Sequence, residues 1–379
     1  MSSIISLKNI NKLAVPALIS GVSEPILSLT DAAIVGNVSF NATESLAAVG
    51  IVTTFMSMLI WVLGQTRSAI SSIVSQYLGA NKLDQIKNLP AQAIFIITSL
   101  SILIILTTYP FASYIFKLYN AYIPGMHIKG AAYASVFSQI LMALFAVYYL
   151  LKKTPIPLKL RLPFNKEIKR FILMILNLFI RTIALNVTLY YGSAFATSYG
   201  KEYIAAYTIA INLWFLGAFI VDGYASAGNI LSGKLLGAKD FKTLLTLSNK
   251  LIKIGVITGL VLAAVGAVFY NVIGDIFSND SDVLKEFGGV FWIVLAMQPF
   301  CALAFIFDGI YKGLGRMKYL RNVLLFSTFI VFIPILFWLD YLDLKLYAIF
   351  IAITCWIIAR GIPLIVKFRK IFIPLSQKT

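Results

Sequence analysis

Two carboxylates lie inside the first apolar stretch of the chain. Glu24 and Asp31 are seven residues apart within residues 13–36, and Pro16 and Pro25 lie in the same stretch. Seven residues are about two turns of an α-helix, so both acids project from one face. A carboxylate inside a membrane span is costly and usually faces a protein or water-filled interior. The pattern therefore predicts a site that binds a proton or a cation, on a helix weakened by proline.

A structural role is the alternative for the same two acids. Acids at a helix end can extend their carboxylates to the lipid headgroups and bind nothing. Asp31 lies near one end of the stretch and fits this interpretation, whereas Glu24 lies near its middle. The position of Glu24 therefore favours the binding site.

Further charged and polar side chains lie within predicted spans. Asp222 and Asp308 are the other acids there, and Arg67, Arg181 and Arg360 are the arginines. Ionisable residues inside a membrane are functional candidates by default. For Asp222 and Arg67, which occupy corresponding parts of two similar segments, a structural ion pair is an equally good interpretation. Amides that either line a cavity or bond helices together are Asn177, Asn186, Asn212 and Gln298.

The elements that carry these residues are transmembrane helices. Of the 379 residues, 60% are hydrophobic and 12% are charged, and the mean hydropathy is +0.88. This composition is too apolar for a soluble domain and predicts an all-α polytopic membrane protein. Length and flanking charge indicate ten spans, at 13–36, 46–70, 90–115, 128–151, 170–197, 203–230, 251–274, 287–311, 320–339 and 344–366.

The basic residues lie mainly on one side of these spans. Of the 32 lysines and arginines, 24 lie in segments on one side and five on the other, whereas three acids lie on the first side and eight on the second. By the positive-inside rule, the basic side and both termini are cytoplasmic. The net charge of +17 is thus explained by topology, strengthened by contact with anionic lipid, and not by nucleic-acid binding.

Chemistry of other kinds has little support in the sequence. Cys301 and Cys355 fall in apolar spans and are predicted to be buried thiols, and His127 has no companion for a metal site. Ser/His, HExxH and paired GxGD-type signatures are absent, so we do not expect an enzyme.

Residues 47–80 and 205–238 form a duplicated pattern. The first begins AAVGI and ends YLGA, the second begins AAYTI and ends LLGA, and equivalent residues are 158 positions apart. The matching loops lie on the same side of the membrane, so the repeat is parallel. Internal repeats of this size are typical of secondary transporters.

The ends of the two halves are further apart than this repeat allows. IKGAAYA, which contains Lys129, resembles LKLYAIF, which contains Lys345, at a separation of 216 positions. The difference of 58 residues corresponds to about two spans and a loop, so the first half has four spans and the second has six. The predicted parts are an N-terminal lobe, a basic cytoplasmic linker and a C-terminal lobe, at 1–151, 152–169 and 170–379.

Six runs of residues within the predicted spans and their connections are distinctive. They are PALISGVSEPILSLTDAAIVG, SLAAVGI, GQTRSAISSIVSQYLGA, IRTIALNVTLYYGSAF, FIVDGYASAGNILSGKLLGA and FDGIYKGLGRMKYLRN. These runs resemble the MATE (multidrug and toxic compound extrusion) family, in its DNA-damage-inducible F-type branch, and the resemblance extends over nearly the whole chain. Relative to the twelve spans of the family, spans four and five are missing from this sequence.

The resemblance implies a two-lobed helical bundle whose lobes face each other across a cavity, here with about ten transmembrane helices. It implies export of small organic cations in exchange for H⁺ or Na⁺, by rocking between inward-open and outward-open states and without another cofactor. The family's proton-binding aspartate matches Asp31, the acid of its C-terminal lobe matches Asp308, and an acid typical of the branch matches Asp222. We expect a monomer in a bacterial cytoplasmic membrane, in contact with lipid.

Two alternative functions stay open. The missing pair of spans is what an inactive, shortened relative would show. Movement of a lipid-linked substrate, known from the wider superfamily, would favour a cationic cavity that holds phosphate. Four acids against three arginines within the spans do not favour that second alternative.

Overall fold

The computed structural model describes residues 5–36, 64–108, 148, 152, 160–277 and 280–377, and over residues 23–36 it describes the backbone alone. Within these residues the regular secondary structure is helical and includes no strand, which confirms the predicted fold class. The helices are α1 (Leu7–Gly36), α2 (64–79), a 3₁₀ turn (Leu83–Ile86), α3 (Leu89–Thr108), α4 (Ile168–Tyr199), α5 (Lys201–Gly237), α6 (Phe241–Val268), α7 (Tyr270–Phe277), α8 (Ser281–Gly313), α9 (Met317–Phe326), α10 (Ile333–Tyr341) and α11 (Leu346–Gln377).

Seven helical segments in the described part of the chain are long and apolar enough to cross a membrane. They include α4, α5, α6, α8 and α11, together with the segment around α3 and the segment from α9 to α10. Each overlaps one predicted span, namely the third and the fifth to tenth, and the first predicted span coincides with the end of α1. The chain is therefore an integral membrane protein. The fourth predicted span and the site of the missing pair, between Tyr119 and His127, lie outside the described residues.

The chain divides into two compact units. One takes in the described parts of Met1–Thr30, Ser71–Asn81 and Met174–Thr379, and the other those of Asp31–Ile70 and Lys82–Leu173. The predicted lobes at 1–151 and 170–379 stay a prediction, because much of the first lies outside the described residues.

The core of the larger unit is the contact between α5 and α8. A Cβ added to Gly309 would lie 2.1 Å from the carbonyl oxygen of Ala225, and a Cβ added to Gly313 would lie 2.1 Å from that of Asn229. Glycines four residues apart on a helix form a groove without side chains. This groove brings the two helix backbones into direct contact.

A π-helical segment, Ser327–Phe332, separates α9 from α10. Pro334 follows it, and because proline has no backbone N–H, the regular hydrogen-bond ladder is interrupted here. Thr328 in this segment is buried, its hydroxyl lies 3.1 Å from that of Thr188, and it accepts a hydrogen bond of 3.0 Å from Trp356 Nε1. The segment thereby joins α4 and α11.

The two copies of the predicted repeat end in the same turn. Asn81 follows α2 and Lys239 follows α5, and each has a φ of 55°. The residue before each, Ala80 and Ala238, donates its backbone N–H to the carbonyl four residues earlier at 3.0 Å. These residues are 158 positions apart in both pairs, so the described ends of the two copies have equivalent backbone geometry.

In the smaller unit, Gln92 fixes the segment that leads to α4. Its buried side chain donates to the carbonyl of Arg161 at 2.7 Å and accepts from the backbone N–H of Asn165 at 2.9 Å. The amide of Asn165 donates in turn to the carbonyl of Gln85. The end of the predicted basic linker is thus bonded to the start of α3.

Candidate functional site

One acid and three basic side chains form a buried cluster where α4, α8 and α11 meet. Asp308 on α8 is 4% exposed. Arg181 on α4 donates from Nη2 to Asp308 Oδ1 at 2.6 Å, and Lys312 Nζ lies 3.0 Å from Asp308 Oδ2. Arg360 on α11 places Nη2 3.4 Å from Asp308 Oδ1. Both oxygens of the one carboxylate are therefore occupied by cations.

The local sequence explains part of this arrangement. Lys312 follows Asp308 by four residues, so the two side chains lie on the same face of α8, one turn apart. Arg181 is 127 residues away from Asp308 in the sequence, and it reaches the carboxylate only because α4 and α8 are neighbours. An unpaired guanidinium in a protein interior is strongly unfavourable, which favours the packing that gives it a carboxylate.

Two aromatic rings position Arg360. Its guanidinium carbon lies 4.8 Å from the ring centroid of Phe305 and 5.5 Å from that of Trp356. Cations are attracted to aromatic faces at these distances. Trp356 is itself held by its hydrogen bond to Thr328 in the π-helical segment. The orientation of Arg360 is thus coupled to the π-helical segment between α9 and α10.

The cluster leaves several nitrogen atoms without hydrogen bonds. Nε, Nη1 and Nη2 of Arg360 and Nε of Arg181 are buried and have no hydrogen-bond partner. Arg360 is 2% exposed, so these nitrogens are buried within the protein. In total the cluster has two more positive than negative charges.

The two acids of the first span lie on a continuous helix. The backbone of α1 is helical through Pro16 and Pro25 to Gly36 and carries Glu24 and Asp31, whose side chains lie outside the described residues. Their proposed roles therefore stay predictions.

The start of α1 packs on α5. A Cβ added to Gly223 would lie 2.7 Å from Cβ of Leu18 and 2.9 Å from the carbonyl oxygen of Ala14. Gly223 directly follows Asp222, so this contact sets α1 beside the part of α5 that carries Asp222.

The other predicted site residues are not part of the cluster. Asp222 is half-buried and has no cation at ion-pair distance among the described residues, and Arg67 is exposed on α2. Asn186 and Asn212 each donate from the side-chain amide to the carbonyl four residues earlier in their own helix, at 2.9 Å. Of the predicted site residues with described side chains, the structure brings together Asp308 and Arg181.

Arg360 is one of the functional candidates within the predicted spans, whereas Lys312 is the member of the cluster that is not among them. The four-residue spacing of Lys312 from Asp308 is nevertheless a signal of an ion pair. No sequence feature identifies the partner of Arg360. The thiol predictions hold in part: Cys301 is buried and accepts a hydrogen bond from Trp214 Nε1 at 3.2 Å, and Cys355 is half-buried.

Comparison with known sequences gives matches in both halves of the chain. The family model MatE matches residues 16–153 and 178–338. Protein DETOXIFICATION 45, chloroplastic, from Arabidopsis thaliana is 32% identical over 198 residues, which are 51% of this chain and 34% of that protein. Multidrug export protein MepA from Staphylococcus aureus (strain MW2) is 24% identical over 216 residues, which are 56% of this chain and 47% of that protein. The matches thus span about a third to a half of the length of the curated relatives.

Solved structures share the fold over nearly the full length of this chain. A crystal structure of MATE in complex with MaL6 has a TM-score of 0.87 and 19% identity, and the match covers 98% of this chain and 97% of that one. A MOP superfamily transporter from Pyrococcus furiosus, described as having a binding pocket of reverse polarity, has a TM-score of 0.86 and 18% identity over 97% and 96% of the two chains. At these identities the likeness establishes the fold.

Proposed function

The chain belongs to the MATE family of membrane transporters, and we propose on this basis that it is a secondary-active exporter of small organic compounds. The observation that carries the proposal is the family match in both halves, together with a MATE fold over nearly the whole chain. Export by alternating access, as in the rocking mechanism that the family resemblance implies, is part of the proposal.

We propose organic cations as the substrates. The name of the Staphylococcus aureus relative, a multidrug export protein, supports small organic compounds as substrates. Aromatic residues make up 14% of the chain, and aromatic rings attract flat cations. The location that fits this activity is a bacterial cytoplasmic membrane with both termini on the cytoplasmic side, where a monomer would contact lipid and small solutes.

Glu24 and Asp31 are the proposed coupling residues for H⁺ or Na⁺. They lie two turns apart on one helix that is predicted to span the membrane, and acids within a span are candidates for binding the coupling ion. Asp308 is the third candidate. Its carboxylate already has three cations, so a coupling proton or sodium ion would have to compete with them. The coupling role is therefore assigned first to the pair on α1.

Export of a dye cation from proteoliposomes tests the proposal. We expect the purified protein to move the dye when a pH gradient is imposed, or when a Na⁺ gradient is imposed, and the effective gradient identifies the coupling ion. Asp31→Asn is expected to abolish coupled export while leaving membrane insertion intact. Asp282→Asn, which removes an exposed acid at the start of α8, serves as the matched control and is expected to retain coupled export.

The possible failures of this experiment have different meanings. Undiminished gradient-driven export by Asp31→Asn would reject that residue as the coupling site. No export from folded, monodisperse wild-type protein would reject cation export and favour an inactive relative or a lipid-linked substrate.

A further inference from the structure

The cluster around Asp308 contains more positive charge than its own acid neutralises. Arg181, Lys312 and Arg360 all lie within 3.4 Å of the one carboxylate. Among the described residues, no second acid lies at ion-pair distance from any of the three. Burying a charge without a counter-charge is strongly unfavourable. Two positive charges at this place therefore need a negative group that the described residues do not supply.

The unsatisfied hydrogen-bond donors are located on the same side chains. Three buried nitrogens of Arg360 form no hydrogen bond, although Nη2 lies at ion-pair distance from Asp308, and Nε of Arg181 forms none either. Buried donors in proteins are nearly always bonded, and an exception indicates a missing partner such as an ion. The excess charge and the unbonded donors are separate observations. The donors require an acceptor, and the excess positive charge favours an acceptor that is negative.

We infer that the cluster binds one anionic group, a carboxylate or a phosphate, at the guanidinium groups of Arg360 and Arg181. Such groups match the planar donor fork of arginine, which binds two oxygens at once. Phe305 and Trp356 contact the guanidinium of Arg360 through their rings. The rings do not take the place of an oxygen acceptor, so the N–H groups of the guanidinium are still available to an anion. Asp308 holds the cations together and leaves them with the net charge that attracts the anion.

Lys312 marks the accessible side of this site. Its side chain is 13% exposed, compared with 5% for Arg181 and 2% for Arg360. An anion would therefore meet Lys312 before it reaches the two arginines. The anion site stands on charge and hydrogen bonding alone, whereas its use by an exported solute rests on the proposed function.

Thermal unfolding of the purified full-length protein in detergent tests the site. Sodium phosphate and sodium acetate are titrated at constant ionic strength, with the salt of a bulky sulfonate as the reference anion. We expect at least one of the two to raise the unfolding temperature in a saturable way. Arg360→Gln is expected to weaken the apparent affinity about tenfold or more. Arg321→Gln, which removes a half-buried arginine that is bonded to Asn322 and lies outside the cluster, is the charge-matched control and should retain wild-type affinity.

Either of two results would overturn the inference. One is a wild-type protein that phosphate and acetate affect no more than the sulfonate does. The other is an Arg360→Gln protein that retains the full anion effect. If Arg360→Gln does not yield monodisperse protein, Lys312→Gln carries the same expectation, because it removes the most exposed cation of the cluster. Without added anion, Arg360→Gln should unfold at the same or a higher temperature than wild type, whereas a purely structural role for Arg360 requires a lower one.

Transport measured on the same preparations separates this inference from the proposed function. Saturable anion binding without dye export would support the anion site and reject cation export. Dye export without anion binding would support cation export and reject the anion site. Uptake of radiolabelled phosphate or acetate by proteoliposomes would identify the anionic group as part of a transported solute. Binding without uptake would identify a resident ion.

Discussion

Gly79 and Gly237 are equivalent residues of the internal repeat, and each is in contact with the helix of the other. A Cβ added to Gly79 would lie 1.9 Å from the carbonyl oxygen of Lys234, and a Cβ added to Gly237 would lie 1.9 Å from that of Gln76. Gln76 and Lys234 are also 158 positions apart. The contact is therefore reciprocal, and a local two-fold axis relates the ends of α2 and α5.

Replacing either glycine by alanine should destabilise the protein. The added methyl group would overlap backbone atoms, which cannot move aside as a flexible side chain can. We expect Gly79→Ala and Gly237→Ala each to cost about 1–3 kcal/mol, visible as a lower unfolding temperature. Gly288→Ala on α8 is the control, because a Cβ there meets nothing within 4 Å, and it should be neutral or stabilising. Equal effects at all three positions would show that the contact between the ends of α2 and α5 is not tightly packed.

The carbonyl of Gly313 should tolerate the loss of one hydrogen bond and not of two. Ser72 Oγ donates to it at 3.1 Å and Gln76 Nε2 donates at 2.7 Å, so α2 caps the C-terminal end of α8. We expect Ser72→Ala and Gln76→Ala each to have a small effect on unfolding. The double variant should lose more than the sum, because an unbonded buried carbonyl costs about 1–3 kcal/mol. A double variant whose loss of unfolding free energy equals the sum of the two single losses would contradict this expectation.

Removing the acid of the buried cluster should be far more harmful than removing an exposed acid. In Asp308→Asn, three cations stay buried without a counter-charge. The loss of one partner from a buried ion pair typically costs about 3–5 kcal/mol. Denaturant or thermal unfolding of the variant measures this cost, with Asp282→Asn as the control. A change below about 1 kcal/mol would mean that the cluster is neutralised in another way.

Glycine should be preferred at the left-handed positions that end α2 and α5. Lys239 and Asn81 both have a φ of 55°, a conformation that is unfavourable for side chains with a Cβ, although asparagine tolerates it better than lysine. Lys239→Gly is therefore expected to raise stability by up to about 1 kcal/mol. Asn81→Gly should raise it less. A lower unfolding temperature for Lys239→Gly would show that its side chain makes a compensating contact.

Trp356 and Thr328 should be energetically coupled. Trp356→Phe keeps an aromatic ring near Arg360 but removes the N–H that donates to Thr328, and Thr328→Val removes the acceptor. A double-mutant cycle on the unfolding free energy is expected to give a coupling of about 1 kcal/mol. Coupling close to zero would exclude this hydrogen bond as the link between the π-helical segment and α11.

The sequence by itself determined the membrane character of the chain, the positions of its described spans and the equivalence of the ends of α2 and α5. These features depend on local properties, namely the length of apolar runs, the charges that flank them and the recurrence of small residues. The repeat also predicted the equivalence of Gly79 and Gly237, since both end the YLGA and LLGA runs. That these glycines touch each other's helix was not contained in the pattern.

Only the tertiary structure decided the partners of the charged residues inside the spans. The helices that carry Asp308, Arg181 and Arg360 are apolar around most of their circumference, so hydrophobic periodicity does not identify which face meets which neighbour. The residues are far apart in the sequence, and their meeting depends on the packing of three helices. The ion pair between Asp308 and Lys312 could be predicted from the sequence, because residues four apart on one helix lie on the same face. The excess positive charge of the cluster depends on the positions of all four side chains, which only the tertiary structure gives.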